Sequence, residues 1–149
     1  MRVSAKADYA VRAAIELAAS GEGPVKGERI ATAQEIPLKF LENILLDMKQ
    51  AGLVRSQRGP EGGYWLARAP DAINVADVIR AVEGPLATVR GERAEELAYH
   101  GAAEPLQEMW VAVRASLRGV LDSVSLADIV NGTLPDAAYA LTRDPAAWQ

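Results

Sequence analysis

The sequence predicts a mainly α-helical protein built on a winged helix-turn-helix: three helices, a two-stranded wing and, later in the chain, a long dimerisation helix. Three features predict this fold class. Residues 37–52 place apolar side chains at helical spacing, and residues 53–68 form two strand-like runs around a glycine-rich turn. Residues 105–124 repeat apolar side chains every three or four positions over about five helical turns.

The composition limits the classes to which the chain can belong. Half of its 149 residues are apolar, enough for a hydrophobic core. No apolar run approaches the ~20 residues that cross a bilayer, and the charged N-terminus does not resemble a signal peptide, which predicts a cytoplasmic protein without a membrane partner. With no cysteine and one histidine, disulfides and thiolate metal sites are excluded, and we expect no catalytic residue, metal ligand or cofactor.

The net charge of −4 is unevenly distributed along the chain. Residues 1–68 carry ten Lys/Arg against eight Asp/Glu, whereas residues 69–149 carry six against twelve. An anionic partner responds to where positive charge lies rather than to the total. Such a mild asymmetry can also mean nothing, so it gains weight only with the motifs of the first half.

Three helices are predicted within the first 52 residues. The first follows the N-cap Ser4 and covers residues 4–19, with an apolar face formed by Ala7, Ala10, Val11, Ala14, Ile15 and Ala18. The second covers residues 26–35, with Ile30 and Ala33 facing inward. Pro37 begins the third and Gly52 ends it, the usual asymmetry of helix ends.

The third helix separates an apolar face from a polar face. The apolar stripe consists of Leu41, Ile44, Leu45 and Met48, and the opposite side carries Lys39, Glu42, Asn43 and Lys49. A tight connection between the second and third helices is typical of a helix-turn-helix, whose later helix enters the major groove.

The wing is predicted directly after the third helix. Strands at residues 53–57 and 64–68 flank the turn RGPEGG, in which glycines permit positive φ and Pro60 stiffens the tip. A stiff tip that carries Arg58 can enter a minor groove. The alternative is an ordinary solvated hairpin.

The second half contains one capped helix, one irregular segment and one long helix. Asn74 caps the first of these, which is expected to pack on the helix-turn-helix, and residues 86–104 are irregular apart from a single turn near 92–97. Ser125 caps a short helix that Gly132 ends. We therefore divide the chain into a winged unit (1–68), a connecting helix and regulatory loop (69–104), dimerisation helices (105–132) and a tail loose at its end (133–149).

The long helix is predicted to join two copies of the chain. The alternative is a core helix of a monomer, but the winged unit already has its own core. The residues expected at the dimer interface are Leu106, Met109, Trp110, Val113, Leu117, Val120 and Leu121.

Several segments resemble the Rrf-type winged helix-turn-helix regulators, a family with an iron–sulfur biogenesis regulator, a nitric-oxide sensor and a cysteine-metabolism repressor. The resemblance covers about residues 1–132 and rests on MRVSAKADYAVRA, PLKFLENIL, GLVRSQRGPEGGYWLA, NVADVIRAVEG and SLADIVNG. It implies a homodimer on palindromic double-stranded DNA.

The resemblance also implies which residues meet DNA. Those expected at major-groove edges and phosphates are Leu38, Lys39, Phe40 and Asn43, and those expected in the minor groove are Arg58, Gly59 and Pro60. Glu42 matches a position where a carboxylate tunes base preference. Lys6 and Lys49 are expected to contact phosphate.

The chain departs from the family where a cluster would lie. Sensing members carry three cysteines in the loop that matches residues 86–104, where this chain has none, and Gln107 stands where some members have a histidine. Asp8 matches a position that donates a carboxylate across the dimer in one branch; without thiolates it is expected to be a helix N-terminal charge or salt-bridge partner. His100 fits no ligand position and is expected to be a solvated bystander, the alternative being a ligand or pH response.

These features favour a transcriptional repressor without an iron–sulfur cluster. A symmetric dimer would place two recognition helices about 34 Å apart and block polymerase by occupying its operator. A protein or small-molecule effector would act on the long helix or on residues 86–104. The cluster-free cysteine-metabolism branch makes sulfur assimilation a candidate regulon. Trp65 is a candidate protein contact, the alternative being that it packs on the dimer helix.

The alternative class is a winged-helix module for protein–protein contact without DNA, which the acidic second half would suit. Steep weakening of binding by salt, together with a palindromic footprint, separates the two classes. An enzyme is disfavoured because the sequence contains no phosphate loop, metal-ligand spacing or nucleophile–base pair.

Overall fold

The computed structural model describes residues 1–149 as seven α-helices and one two-stranded antiparallel sheet. The elements are α1 (Ala5–Ala19), α2 (Gly27–Gln34), α3 (Leu38–Gln50), β1 (Val54–Gln57), β2 (Gly63–Leu66), α4 (Val75–Glu83), α5 (Leu106–Leu121), α6 (Leu126–Asn131) and α7 (Asp136–Thr142). The predicted mainly helical, winged architecture is confirmed. None of the helices combines the length and the apolar character needed to span a membrane.

The first three helices enclose a core to which α4 contributes. The predicted stripe of α3 is fully buried, from Leu41 to Met48, and Val78 of α4 lies in the same cluster, so the expected packing of α4 on the helix-turn-helix is confirmed. The buried face of α1 is rotated from the predicted one. Ala13 and Leu17 are buried, whereas the predicted Val11, Ile15 and Ala18 are only partly buried.

The buried face of α2 differs from the predicted face at two residues, Ala31 and Ala33. Ile30 is buried as expected, but Ala33 is exposed and Ala31 lies inside. Apart from Ile30, the small residues of α2 are one glycine and two alanines, so Ile30 is the only strong marker of the inward side. Such a weak pattern fixes the helix but not its rotation.

The wing is held by a third backbone segment that the sequence did not reveal. Val25 forms a bridge with Tyr64, in which each backbone N–H donates to the other residue's carbonyl oxygen at 2.8 Å. Gly63 makes this approach possible: its φ is +152°, and a Cβ there would lie 2.6 Å from the Val25 carbonyl oxygen. The pairing docks the base of the wing against the connection into α2.

After α5 the chain returns to the core of the winged unit. Both predicted capping boxes are present, at Asn74 for α4 and at Ser125 for α6, and these two residues form a β-bridge with each other. Leu126 is fully buried in the same core cluster as α3. The segment 105–132 thus contains two different parts: α5 lies outside the core and α6 belongs to it.

The outer position of α5 is the most unusual feature of the fold. None of its 16 residues is buried, although apolar side chains line one side. The helix ends at Leu121, three residues before the predicted end, and Val124 is buried instead. Asp122, just beyond the helix, accepts a two-pronged ion pair from Arg80 of α4.

The tail is more regular than the loose end predicted from the sequence. It contains α7, whose Ala138 is buried, and a short 3-10 turn at Pro145–Trp148. Tyr139 Oη donates to the Gly132 carbonyl oxygen at 3.1 Å, and Trp148 Nε1 donates to the Thr142 carbonyl oxygen at 2.6 Å. These local hydrogen bonds order the tail without a strong apolar stripe.

Candidate nucleic-acid interface

The side of α3 opposite its buried stripe faces solvent. Lys39, Glu42, Asn43 and Lys49 are exposed, and none of them forms an ion pair or a side-chain hydrogen bond within the chain. Burial of Leu41, Ile44, Leu45 and Met48 on one side forces this polar side outward, because the two sets alternate along the helix. All four polar groups are therefore free to meet a partner.

The start of α3 is fixed by contacts with α1. Phe40 meets Tyr9 edge to face, with ring centroids 5.7 Å apart and an interplanar angle of 84°. The Arg12 guanidinium lies 4.7 Å from the Tyr9 centroid and donates to the Gln34 carbonyl oxygen at 2.7 Å. Phe40 remains 40% exposed, and Leu38, at 37%, lies beside it on the first turn. The first turn of α3 thus presents a fixed, partly apolar edge.

The tip of the wing is exposed and tightly turned. Arg58, Gly59 and Pro60 all face solvent, and Gly59 adopts a φ of +103°. A Cβ on Gly62 would lie 2.1 Å from the Gln57 carbonyl oxygen, so this turn requires glycine. Lys26 Nζ donates to the Gly59 carbonyl oxygen at 2.9 Å and fastens the tip to the start of α2. Arg58 makes no ion pair within the chain.

A groove of about 400 Å³ separates α3 from the wing. Lys26, Lys49 and Arg58 line it together with the carboxylates of Glu28 and Glu42. Tyr64 also lines this groove. Burial raises the pKa of its phenol, and the nearby Glu42 and Glu28 carboxylates raise it further. Glu42, predicted to tune base preference, therefore shares this groove with the wing.

Lys6 differs from the other cations expected at DNA. Its Nζ lies 2.9 Å from Asp47 Oδ2, and this ion pair joins α1 to α3. The ammonium would have to leave Asp47 to reach a phosphate. The structure thus brings Leu38, Glu42 and Lys49 of α3 to one groove with Arg58 and Gly59 of the wing. Outside this groove, Lys39, Phe40, Asn43 and Pro60 are exposed, and Lys6 is a contact between helices.

Unpaired positive charge is concentrated on the winged unit. Four of the six arginines after residue 68 are engaged in ion pairs: Arg80, Arg93, Arg114 and Arg118. In the first 68 residues, by contrast, the ion pairs use only Lys6 and Arg12. Two cations that the sequence did not single out, Lys26 and Arg29, are exposed at the start of α2. Basic residues beside a helix start are common, so Lys26 and Arg29 alone do not predict a DNA contact.

The residues of the loop 86–104 do not fit an iron–sulfur cluster. The loop contains no thiolate, and no group of three or more His, Asp or Glu side chains in the chain could hold a metal ion. Instead, Gln107 Nε2 donates to the Glu95 carbonyl oxygen at 3.0 Å, and the Glu95 carboxylate pairs with Arg114. The Glu95 backbone N–H and the Arg114 guanidinium hold the pKa of Glu95 below its usual value.

Three further side chains considered in the sequence, those of Asp8, His100 and Trp65, lie away from any metal-ligand group. Asp8 lies in the first turn of α1 and pairs with Arg12 at 3.0 Å, so the expected salt-bridge role is confirmed. His100 is exposed and makes no side-chain hydrogen bond. Trp65 lines a groove of about 500 Å³ between the end of α1 and the base of the wing.

The apolar side of α5 continues into a neighbouring groove. Leu117 and Leu121 line a space of about 570 Å³ together with Ile79 and Leu86. Met109 is 45% exposed, and Trp110 Nε1 is shielded from solvent without a hydrogen-bond acceptor. A surface of this kind is poorly covered by its own chain.

A helix-turn-helix followed by a wing, with an exposed polar helix face, is the architecture of winged helix-turn-helix transcriptional regulators. The family model described as "Rrf2: Iron-dependent Transcriptional regulator" matches residues 3–132. The chain belongs to this family. Its relatives are transcriptional regulators, not enzymes.

Individual relatives and solved structures agree with this membership. A chain of Mycobacterium tuberculosis strain H37Rv, named as a candidate HTH-type transcriptional regulator, Rv1287, is 48% identical over 145 residues, which cover 97% of this chain and 90% of the relative. The regulator CymR of Bacillus subtilis is 38% identical over 134 residues, which cover 89% of this chain and 92% of CymR. The structure of B. subtilis CymR, "the Global Cysteine Regulator", has a TM-score of 0.75 at 36% identity and covers 89% of this chain and 98% of that one. The structure of T. potens IscR has a TM-score of 0.72 at 38% identity and covers 89% of this chain and 88% of that one.

Proposed function

We propose that this regulator is a cytoplasmic homodimer that represses transcription by binding palindromic double-stranded DNA, without an iron–sulfur cluster. One observation carries the proposal. Glu42 and Lys49 of α3 and Arg58 of the wing tip are exposed, form no ion pair within the chain and border one groove of the winged unit. Lys39 and Asn43 are exposed on the same polar side of α3. Lys39, Lys49 and Arg58 have no ion-pair partner in the chain, whereas four of the six arginines after residue 68 are paired. A polyanionic partner would supply the missing negative charge.

The contacts divide by chemistry. Asn43, with its amide, and Lys39 read base edges or bind phosphates from the first two turns of α3, and Leu38 and Phe40 contribute apolar edges there. Glu42 accepts from cytosine N4 or repels phosphate, which sets base preference. Lys49 binds phosphate, as does Lys6 if it leaves Asp47. Arg58, Gly59 and Pro60 enter the minor groove, where a narrow groove attracts an arginine.

The dimer proposal rests on α5. A helix with an apolar side and no buried residue needs a cover, and a second copy of the same helix is the simplest one. The interface would consist of Leu106, Met109, Trp110, Val113, Leu117, Val120 and Leu121. Two-fold pairing would place two copies of α3 about 34 Å apart, in successive major grooves.

The absence of a cluster is proposed from the donor set. Iron–sulfur clusters need thiolates, and the chain has none. The contacts of Glu95 with Arg114 and Gln107 fasten the loop to α5 without a metal ligand. The likeness to CymR, the global cysteine regulator of B. subtilis, makes sulfur and cysteine metabolism the candidate regulon.

The experiment is selection of duplexes from a random-sequence library by the full-length protein, followed by anisotropy titration of the selected duplex over a range of salt. We expect a palindromic consensus and a log–log salt slope that reports several phosphate contacts. The double variant Lys39→Gln/Arg58→Gln should lose this binding, and Arg143→Gln, an exposed arginine in the tail, should keep it. Recovery of no consensus, with no salt-dependent binding, would favour a protein–protein contact module.

A further inference from the structure

A polar cleft of about 800 Å³ opens between α4, the loop that follows it and α5. Its wall contains four guanidinium groups, and its apolar side chains are those of Pro85 and Leu86. The guanidiniums come from three different elements: Arg80 on α4, Arg93 in the loop, and Arg114 and Arg118 on α5. Nothing in the DNA-binding proposal uses this arginine cleft.

Two carboxylates divide the arginines of the cleft into two pairs. Asp122 accepts hydrogen bonds from both terminal nitrogens of Arg80, at 2.8 and 3.1 Å, and from Nε of Arg118, at 3.1 Å. Glu95 accepts a hydrogen bond from Arg114 and forms an ion pair with Arg93, whose Nε lies 3.1 Å from Glu95 Oε1. The only further carboxylate within 4.0 Å of these guanidinium groups is that of Asp77, at 4.0 Å from Arg80. Four cations therefore face three carboxylates.

Two of the four arginines keep most of their donors free. Arg93 and Arg118 each use only Nε, so their terminal nitrogens form no hydrogen bond within the chain. Their side chains are 55% and 58% exposed. A guanidinium offers five donors in a planar fork that matches the two oxygens of a carboxylate, sulfate or phosphate. The arginine cleft thus carries two open forks.

We propose that the arginine cleft binds a small dianion whose acidic oxygens are carboxylate, sulfate or phosphate oxygens. Arg93 and Arg118 grip its two ends, and Arg80 and Arg114, held by their own carboxylates, supply the positive background. Ion pairing that served only to fix α5 to α4 and to the loop would account for Arg80 and Arg114. It does not account for two exposed arginines that each bind one carboxylate oxygen through Nε alone.

The position of the arginine cleft gives such a ligand a route to the rest of the molecule. Arg80 lies on α4, whose buried face packs into the core of the winged unit, whereas Arg118 lies on the outer helix α5. A dianion between them would set the angle of α5 against α4. This coupling rests on the proposed function, because it would change operator affinity through the dimer. Binding of the dianion itself does not depend on DNA.

The test is isothermal titration of the full-length protein with sodium sulfate, sodium phosphate and sodium succinate, each at ionic strength held constant with sodium chloride. We expect at least one of the three to bind saturably at one site per chain, and the preferred one identifies the acidic group. The double variant Arg93→Gln/Arg118→Gln should weaken this binding at least about tenfold. Arg93→Lys/Arg118→Lys, which keeps the charge but not the forks, should weaken it less.

Two controls make the result decisive. The Lys39→Gln/Arg58→Gln variant removes cations of the DNA face and should bind the dianion as the unmodified protein does. Far-ultraviolet circular dichroism confirms that each variant is folded, which we expect because both substituted arginines of the arginine cleft are exposed. The proposal is overturned if none of the three dianions gives saturable binding up to about 10 mM. It is also overturned if the cleft variants bind as tightly as the unmodified protein, or if only the DNA-face variant loses binding.

Discussion

Lys26 donates a hydrogen bond from its ammonium to the carbonyl oxygen of Gly59, 2.9 Å away. The first residue immediately precedes α2, and the second lies at the tip of the wing. Because the acceptor is a neutral carbonyl, Lys26 keeps its positive charge at the edge of the groove between α3 and the wing. One contact therefore both fixes the wing tip and leaves a cation beside the proposed DNA path.

Replacement of Lys26 should weaken operator binding through both effects. Lys26→Met removes the ammonium but retains the length of the side chain, and we expect a loss of about 1–2 kcal/mol in binding free energy. Anisotropy titration with the selected duplex measures it. Faster amide exchange at the wing tip should accompany the loss. Equal affinity and equal exchange in Lys26→Met and the unmodified protein would remove Lys26 from this role.

Arg58 should contribute directly to DNA affinity. Its side chain is exposed at the wing tip and has no partner in the chain, so Arg58→Ala should weaken operator binding by roughly 1–3 kcal/mol. The matched control is Arg143→Ala, which removes an exposed arginine from the tail. An unchanged dissociation constant for Arg58→Ala would contradict the assignment of this turn to the minor groove.

Truncation of the apolar side of α5 should loosen the dimer. Trp110→Ala or Leu117→Ala removes apolar surface that we expect to be covered by the partner, at a cost of about 2–4 kcal/mol of association free energy. Sedimentation velocity over a range of concentrations measures the shift toward monomer. Leu141→Ala is the control, because Leu141 is 59% exposed on α7. A dimer that survives both α5 substitutions would place the interface elsewhere.

The ion pair between α4 and the end of α5 should make stability depend on pH in the acid range. The Arg80 hydrogen bond, with help from Arg118, holds the pKa of Asp122 below its usual value. A lowered folded-state pKa stabilises the protein above the unfolded pKa of about 3.9, and this contribution is lost as pH falls through the lowered value.

The substitution Asp122→Asn should therefore lower the free energy of unfolding by about 1 kcal/mol at pH 7, and by progressively less below pH ~4. Urea titrations at fixed protein concentration measure this difference, with the exposed, unpaired Glu22→Gln as control. A destabilisation that stayed the same at pH 7 and at the lowest pH would mean that charge is not its cause.

The protein should be colourless even when it is purified without oxygen from iron-replete cells. No thiolate is present to hold an iron–sulfur cluster, and Gln107 donates to the Glu95 carbonyl oxygen rather than offering a ligand. Visible absorption spectra and iron analysis of anaerobic material test this expectation. Stoichiometric iron together with absorption above about 400 nm, where sulfur-to-iron charge transfer absorbs, would contradict the cluster-free assignment.

Local patterns were enough to predict the elements that position the site. The stripe from Leu41 to Met48 defines both the existence and the buried side of α3, and so its exposed side. The capping boxes at Asn74 and Ser125 each depend on side chains three residues apart, so the sequence predicts both helix starts equally well. Each of these features is encoded within a few consecutive residues, where the physics is strongest.

Contacts between distant segments could not be predicted in this way. The bridge between Val25 and Tyr64 joins residues far apart in sequence, and neither residue signals the other. The ion pair of Lys6 with Asp47 depends on how α1 packs against α3, so the sequence left Lys6 among the DNA contacts. The rotation of α1 was missed because its apolar face consists mainly of alanines, which mark a buried side weakly.

Footprinting of the selected duplex with the full-length protein bound tests the central proposal most directly, with hydroxyl radicals reporting the minor-groove sugars and dimethyl sulfate reporting guanine N7 in the major groove. We predict two protected minor-groove patches and two major-groove segments related by two-fold symmetry, with the major-groove centres about 34 Å apart. Arg58→Ala should lose the minor-groove protection and keep the major-groove segments. A single unsymmetrical patch of protection, or no protection at protein concentrations that saturate the duplex, would contradict a dimer that reads DNA with α3 and the wing.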